Sequence, residues 1–368
     1  MKKIHSSKMI LSLLSGYDRV IPRRHSVLPI CEGILITPQG FRGTNLEATI
    51  CTEYPGMVES PVVVDLRLLM DSLKQIRGIF EARVEGWFLI LKTETREFKI
   101  PGMGDAEEFP KVPEFNPEYK MTVPEITGMI PFAGDNPDYK PQYVCVYIEP
   151  GTVSATDANV LRTANYDHGN NPDNPGILIP LNMQPFMKEP RVIEYNYELC
   201  RIYLPCRTTV LTRVIQERYP DFRNVIPRDN PNHFRLNRVE LIRELDSAML
   251  YGNKTTFQVK FSFLINQLEI SAVDIDYNME YRGTMGSEMV SGEPMEIGFN
   301  AKFLRKLLMN MEGETVTMEM STPNRACLLM EGDSTFLVMP VMLKNPEPEP
   351  EEVEEEEIEE EELEKEEA

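Results

Sequence analysis

At 368 residues the chain is too long for one ordinary hydrophobic core and fits two or three domains. Its 42% hydrophobic and 26% charged residues exclude a disordered chain, and the lack of any run of about eighteen apolar residues predicts a cytoplasmic protein with no membrane span and no secretory leader. The formal charge of −21 argues against a nucleic-acid partner only until its distribution is read: residues 344–368 hold fifteen glutamates and two lysines, about −13, leaving roughly −8 for the other residues.

In chain order, apolar periodicity predicts helices over 6–15, 65–77, 124–133, 182–188, 238–250 and 301–312. Alternate members recur at roughly 115 residues, a spacing that predicts a triplicated domain rather than a solenoid of short repeats. In the second helix Leu66, Leu69, Met70, Leu73 and Ile76 form the apolar stripe, and Arg67, Lys74 and Arg77 form a basic side. The fifth starts at Asn237 with Glu240 in a capping-box arrangement, and Val239, Ile242, Leu245 and Met249 line its apolar face, away from Arg238 and Arg243. The sixth is capped by Asn300, carries Phe303, Leu304, Leu307, Leu308 and Met311 on one face, shows Lys302, Arg305, Lys306 and Asn310 on the other, and is expected to stop at Gly313. One charged face is ordinary solvation; its recurrence on helices of an acidic protein points to an anionic partner.

Between the helices apolar and polar residues alternate, as at Val316, Met318 and Met320 and across 87–100, which is strand patterning with one face buried. Each segment therefore reads as two helices plus several strands, an α+β unit. Proline-rich joints near 110–117 and 220–231 set the expected domains at 1–118, 119–235 and 236–343, followed by a disordered acidic tail over 344–368 whose like charges repel and bury nothing.

Catalytic chemistry is hard to find. The sequence has no phosphate-binding glycine loop, no HExxH pair and no GxSxG turn. His5, His25, His168 and His233 are isolated and read as surface or loop residues. Cys31, Cys51, Cys145, Cys200, Cys206 and Cys327 form no CxxC pair and read as buried thiols, not zinc ligands or a disulfide framework. Asp274 and Asp276 share a strand face and could hold magnesium, but no phosphate-binding element supports them. No catalytic residue, metal or cofactor is expected.

Several stretches together resemble the bacterial β sliding clamp, the processivity subunit of DNA polymerase III. Ser-Val-Leu-Pro-Ile (26–30) resembles the family's TLPIL turn, Glu-Phe-Pro (108–110) its FP motif, and Ala-Thr-Asp (155–157) its ATDGHRL turn. Tyr-Pro-Asp-Phe-Arg-Asn-Val-Ile-Pro (219–227) is similar to FPDYRRVIP, Met-Glu-Ile-Gly-Phe-Asn (295–300) matches MEIGFN, and residues 337–343 resemble the terminal MPMRL type. Each match is short; their order and spacing across 1–343 are specific.

The resemblance implies three domains of one fold, inner helices with outer antiparallel sheets, and a head-to-tail homodimer closing a ring around double-stranded DNA. It implies the tunnel residues Arg23, Arg24, Arg67, Lys74, Arg77, Lys140, Lys302, Arg305 and Lys306, and a dimer interface at Phe98, Met249 and Leu250. It further implies a pocket for peptides of the replicative polymerase, the clamp loader and other clamp-binding proteins, built from Tyr143, Thr156, Leu161, Pro220, Val225, Leu337, Met339, Pro340 and Met342. Ala158 and Asn159 replace the family's Gly-His and Asn224 stands where Arg is common, which puts the pocket's polar rim in question. Two other readings stay open: a nucleotidyl transferase, which would synthesise DNA alone, and a clamp-fold scaffold that binds peptides without encircling DNA.

Overall fold

The structure, a computed structural model, describes residues 4–23, 27–134 and 140–343. Arg24, His25, Ser26 and the acidic segment 344–368 lie outside the described residues.

Three repeats follow one another. The first contains β1 (Ile4–Ser6), α1 (Ser7–Leu13), β2 (Gly33–Thr37), β3 (Gly40–Thr44), β4 (Ala48–Glu53), β5 (Val62–Asp65), α2 (Leu66–Gln75), β6 (Ile79–Glu85), β7 (Phe88–Lys92) and β8 (Glu97–Pro101). The second contains β9 (Tyr119–Val123), β10 (Cys145–Glu149), β11 (Thr152–Thr156), β12 (Val160–Asn165), β13 (Ile177–Pro180), β14 (Arg191–Tyr195), β15 (Leu199–Leu204) and β16 (Thr208–Arg213). The third contains β17 (Asn232–Asn237), α3 (Arg238–Tyr251), β18 (Gln258–Phe263), β19 (Gln267–Asp274), β20 (Met279–Ser291), β21 (Met295–Asn300), α4 (Ala301–Met309), β22 (Thr315–Met320), β23 (Cys327–Glu331) and β24 (Ser334–Val338). Since β17 begins at Asn232 and pairs with β20 and β22, the third repeat takes up the chain slightly before residue 236.

Each repeat is built from two strand–helix–three-strand units that exchange their first strands: β1 joins β6 and β5 joins β2, β9 joins β14 and β13 joins β10, β17 joins β22 and β21 joins β18. The exchange locks the two units around one core, in which Leu14, Leu69, Phe132, Phe234, Leu304 and Phe336 are fully buried. This is the α+β triplication expected from the spacing. Two ladders also cross repeat boundaries, β4 with β16 and β12 with β24, so the sheets are continuous through both internal joints.

The helix signals held where caps and stripes agreed. Asp65 accepts from Leu68 N, Asn237 from Glu240 N, and Asn300 from Lys302 N and Phe303 N, each satisfying amide donors that the helix itself leaves open. Three details differ. The segments predicted helical over 124–133 and 182–188 are 3₁₀ turns, Thr127–Phe132 and Leu181–Phe186, because Pro131 and Pro185 sit inside them and a proline removes a donor and clashes with the preceding turn. In α3 the buried line is Leu241, Leu245 and Ala248, while Val239 is exposed and Ile242 and Met249 are half-buried; the core lies one residue position around the helix from the predicted stripe. Finally, α4 ends at Met309, before Gly313, and the Arg238 guanidinium donates to the carbonyls of Leu308, in its last turn, and of Gly313, just beyond it, tying the start of α3 to the end of α4.

Cys31, Cys145, Cys200 and Cys327 are buried as expected, and burial pushes the Cys145 thiol up to about 12. Cys51 is only half-buried, and Cys206 is exposed in the tight β15–β16 turn, where it and Arg207 both take left-handed backbone (φ 58° and 54°). His5, read as a surface or loop residue, is instead buried on β1 with Nδ1 3.0 Å from the Tyr54 hydroxyl. The carboxylate of Asp274 is buried and accepts from Asp276 N at 3.1 Å, so this pair shapes the β19–β20 turn. Among the described residues no helix is long and apolar enough to cross a membrane.

Candidate DNA and partner surfaces

α1 packs against α2, α3 against α4 and the 3₁₀ turn Thr127–Phe132 against Leu181–Phe186, and α2 and α4 carry most of the predicted basic residues. Arg67, Lys74 and Arg77 are exposed on and just beyond α2, and Arg67 Nη1 donates to the carbonyl of Arg23 at 3.3 Å, which brings both arginines to one place. Lys74 pairs with Asp71 at 2.8 Å, an exposed contact that water and salt weaken. The α4 cations are more committed. Arg305 is held by Asp246 of α3 at 2.5 Å, Lys302 lies 3.6 Å from the Phe257 ring centroid, and Lys306 reaches Asp157 at 3.1 Å, across the joint between the second and third repeats. Lys306 therefore ties the joint together as well as adding charge. Lys140 is exposed and lies 5.5 Å from the Tyr143 ring centroid.

On the other side of that joint, β12 and β24 run antiparallel with Leu161 opposite Leu337. Both are buried and form one apolar cluster with Tyr219, Phe222 and Leu178. Tyr219 stacks on Tyr147 with centroids 4.6 Å apart, and its hydroxyl is buried with no hydrogen-bond partner among the described residues. Burial drives that hydroxyl well above the usual tyrosine range, so it stays protonated and has a hydrogen bond to give. Around this floor Pro220 and Pro340 are half-buried, whereas Val225 (52% exposed) and Met339 (38%) face outward, and Tyr143 borders Tyr219. Met342 is also exposed, but its carbonyl accepts from Gln258 on β18, placing it beside the third repeat's own sheet. Thr156 is a turn-former: its hydroxyl donates to Val160 O at 2.7 Å and accepts from Ala158 N at 3.1 Å.

The predicted dimer residues lie in the first and third repeats. Phe98 is half-buried on β8, the last strand of its sheet, whose outer edge carries no ladder among the described residues. Leu250 (68% exposed) and the half-buried Met249 lie in the last turn of α3, where the Lys254 ammonium donates to both of their carbonyls at 2.6 Å.

Comparison with known proteins agrees with this geometry. Residues 223–345 match the family model described as DNA polymerase III beta subunit, C-terminal domain. The beta sliding clamp of Chlamydia muridarum is 24% identical over 373 residues, covering 93% of this chain and 99% of that protein, and that of Chlamydia pneumoniae is 31% identical over 148 residues. The fold superposes on the DNA polymerase III subunit beta of Pseudomonas aeruginosa with TM-score 0.83 at 22% identity, covering 93% of this chain and 100% of that one, and on the beta subunit of Thermotoga maritima with TM-score 0.81 at 20% identity. Together these matches indicate a bacterial β sliding clamp.

Two features of this clamp escaped the sequence reading. Beside the joint between the first two repeats, Ser12, Arg19, Lys188, Arg191, Cys206 and Thr208 line a cleft of about 370 Å³. Its three cations, with exposed Lys8 on α1, form a basic group, but they come from stretches roughly 170 residues apart and only spacing relative to α1 could have grouped them. The second concerns Ala158, which replaces the family's glycine and adopts φ 75°. A Cβ is disfavoured there, so Ala158→Gly is expected to stabilise the protein by about 0.5–1 kcal/mol, read as a higher denaturation midpoint with unchanged m. Asn224, at the position where the family often has Arg, bonds Asp221 at 2.7 Å, and the neighbouring Arg223 is paired with Glu149 and lies over the Phe222 ring. The rim's positive charge is thus supplied one residue earlier and is already partnered.

Proposed function

We propose that this clamp works as the processivity factor of a bacterial-type replicative DNA polymerase, with two copies closing head to tail into a ring around duplex DNA in the cytoplasm. The observation that carries the reading is the pair of internal joints: β4 with β16 and β12 with β24 already join three repeats edge to edge, while among the described residues β8 of the first repeat ends its sheet and residues 279–286 of the third repeat's β20 are laddered on one side only. Three repeats with free ends need a second set of three to close. The helix side then lines the tunnel and the sheets form the outer wall.

The role is non-catalytic. Lys and Arg side chains meet phosphates without reading bases, so the grip is sequence-independent and loose enough to slide, while topology prevents escape. The acidic total is compatible with this, since negative charge on the outer wall disfavours binding there. Replacing Arg67, Lys74 and Arg77 together by alanine is expected to weaken non-specific DNA binding uniformly across sequences and to flatten the slope of log K against log salt by roughly 3, one unit per lost phosphate contact. Titrations over a range of salt concentrations check this.

The Leu161–Leu337 floor with its Val225 and Met339 rim is where the polymerase, the clamp loader and other proteins would insert an apolar-anchored peptide. A related Pseudomonas aeruginosa clamp, similar to this chain with TM-score 0.82 at 21% identity, was solved bound to griselimycin. Adaptable methionine walls suit several such ligands. With domain limits near 118 and 235, this pocket would lie between the second and third domains. The test is synthesis on a long primed template: the purified protein should lengthen the products of a matched polymerase and make none alone. DNA synthesis by the protein alone would overturn the reading, and peptide binding without any effect on product length would favour the scaffold alternative.

A further inference from the structure

Resting on the ring reading, the internal repeats specify more than which edges meet. We infer that the joint between two copies pairs β8 of one with β20 of the other in one register: Glu97 opposite Arg282, Phe98 opposite Tyr281, Lys99 opposite Glu280 and Ile100 opposite Met279.

The register follows from ladders within the chain. Val63, Leu178 and Gly298 each stand two residues before the residue that caps their unit's helix, and they face Leu35, Tyr147 and Lys260. Those face Arg42, Ser154 and Ser271, which in turn face Cys51, Thr163 and Arg282. Arg282 of β20 is thus the counterpart of Thr163 of β12. In the other units the capping residues Ser6 and Asn237 face Ile79 and Thr315. Three residues further along, Ala82 and Met318 face Leu91 and Leu329, which face Phe98 and Phe336. Phe98 of β8 is the counterpart of Phe336 of β24.

At the second joint Phe336 lies opposite Arg162 and Thr335 opposite Thr163. At the first joint Ile50, preceding Cys51, lies opposite Val210, the third residue of its strand as Phe336 is of β24. Both joints share one register, and carrying it to the free edges gives the pairing above. The edges are open for it: β8 ends its sheet, and on β20 the stretch 279–286 is laddered to β19 alone, while β17 meets only 287–291.

The side chains fit. Phe98 and Tyr281 are both half-buried on the helix side, where the Tyr281 hydroxyl donates to Glu244 of α3 at 2.5 Å and its ring stacks on Tyr251, next to exposed Leu250. The pair would extend this apolar strip across the joint. On the opposite face Glu97, Lys99, Glu280 and Arg282 are all exposed. Within the single chain Arg282 bonds Glu280 at 2.6 Å and Glu97 bonds Arg83 at 3.3 Å. Closing the joint strings them into Arg83, Glu97, Arg282, Glu280 and Lys99, alternating in sign. A slip of two residues sets Glu97 against Glu280 or Lys99 against Arg282, and a slip of one turns charges onto the apolar face, so the pattern selects one register.

The experiment uses the full chain with Cys206→Ser to remove the exposed thiol. Glu97→Cys with Arg282→Cys in one chain should give a disulfide-closed dimer under mild oxidation, and Glu97→Cys with Glu280→Cys should not. Separately, Glu97→Arg and Arg282→Glu should each raise the dimer dissociation constant by roughly tenfold, since each ring has two joints, and the double exchange should restore it. A dimer that crosslinks only through the offset pair overturns the register and leaves the ring intact. A chain that is monomeric before any substitution overturns the ring reading itself.

Discussion

Leu250→Asp is expected to leave a folded monomer that no longer supports long DNA products. Leu250 is 68% exposed in the single chain, so a carboxylate costs the fold little and the denaturation midpoint should not move. In the proposed ring the same position would be covered, and a charge buried without a partner at the centre of an interface costs about 2–4 kcal/mol per joint, roughly 30- to 1000-fold in affinity. Sedimentation should therefore show half the native mass, and polymerase products should fall to the length made without the clamp. An unchanged dimer would show that α3 lies away from the joint.

The second large effect lies at the partner pocket. Val225→Asp combined with Met339→Asp alters two outward-facing apolar residues while keeping the buried Leu161–Leu337 floor. The ring should form and stay on DNA as before, but binding of a polymerase-derived peptide should weaken by about 30-fold or more, because hot-spot contacts of this kind carry 2 kcal/mol or more. Retention without stimulation is the expected pattern. Unaltered peptide affinity would relocate the pocket.

Local chemistry made much of this architecture legible. The apolar stripes and caps of α2 and α4 were written within a dozen residues, and the recurrence of such stretches implied the triplication. Tertiary context decided the rest. Pro131 and Pro185 converted two expected helices into 3₁₀ turns, although the neighbouring apolar residues Met129, Phe132, Met183 and Phe186 are buried as a helix would have buried them. In sequence the α4 cations look free, but Arg305 is held by an acid 59 residues away and Lys306 by one 149 residues away. Likewise the family resemblance marks Phe98 as an interface residue without naming its partner strand; that needs the ladders of all three repeats. His5 shows the same limit, since a polar ring in a three-residue strand gives no local sign that it is buried beside Tyr54 and Phe80.

The most direct test of the account is residence on DNA of different topology. The clamp is loaded onto a nicked circle, half the sample is linearised with a restriction enzyme, and bound protein is followed at a salt concentration that suppresses simple electrostatic binding. Enclosure predicts slow loss from the circle and rapid loss from the linear molecule through its ends, with the difference abolished by end blocks. Equal loss from both forms would contradict it.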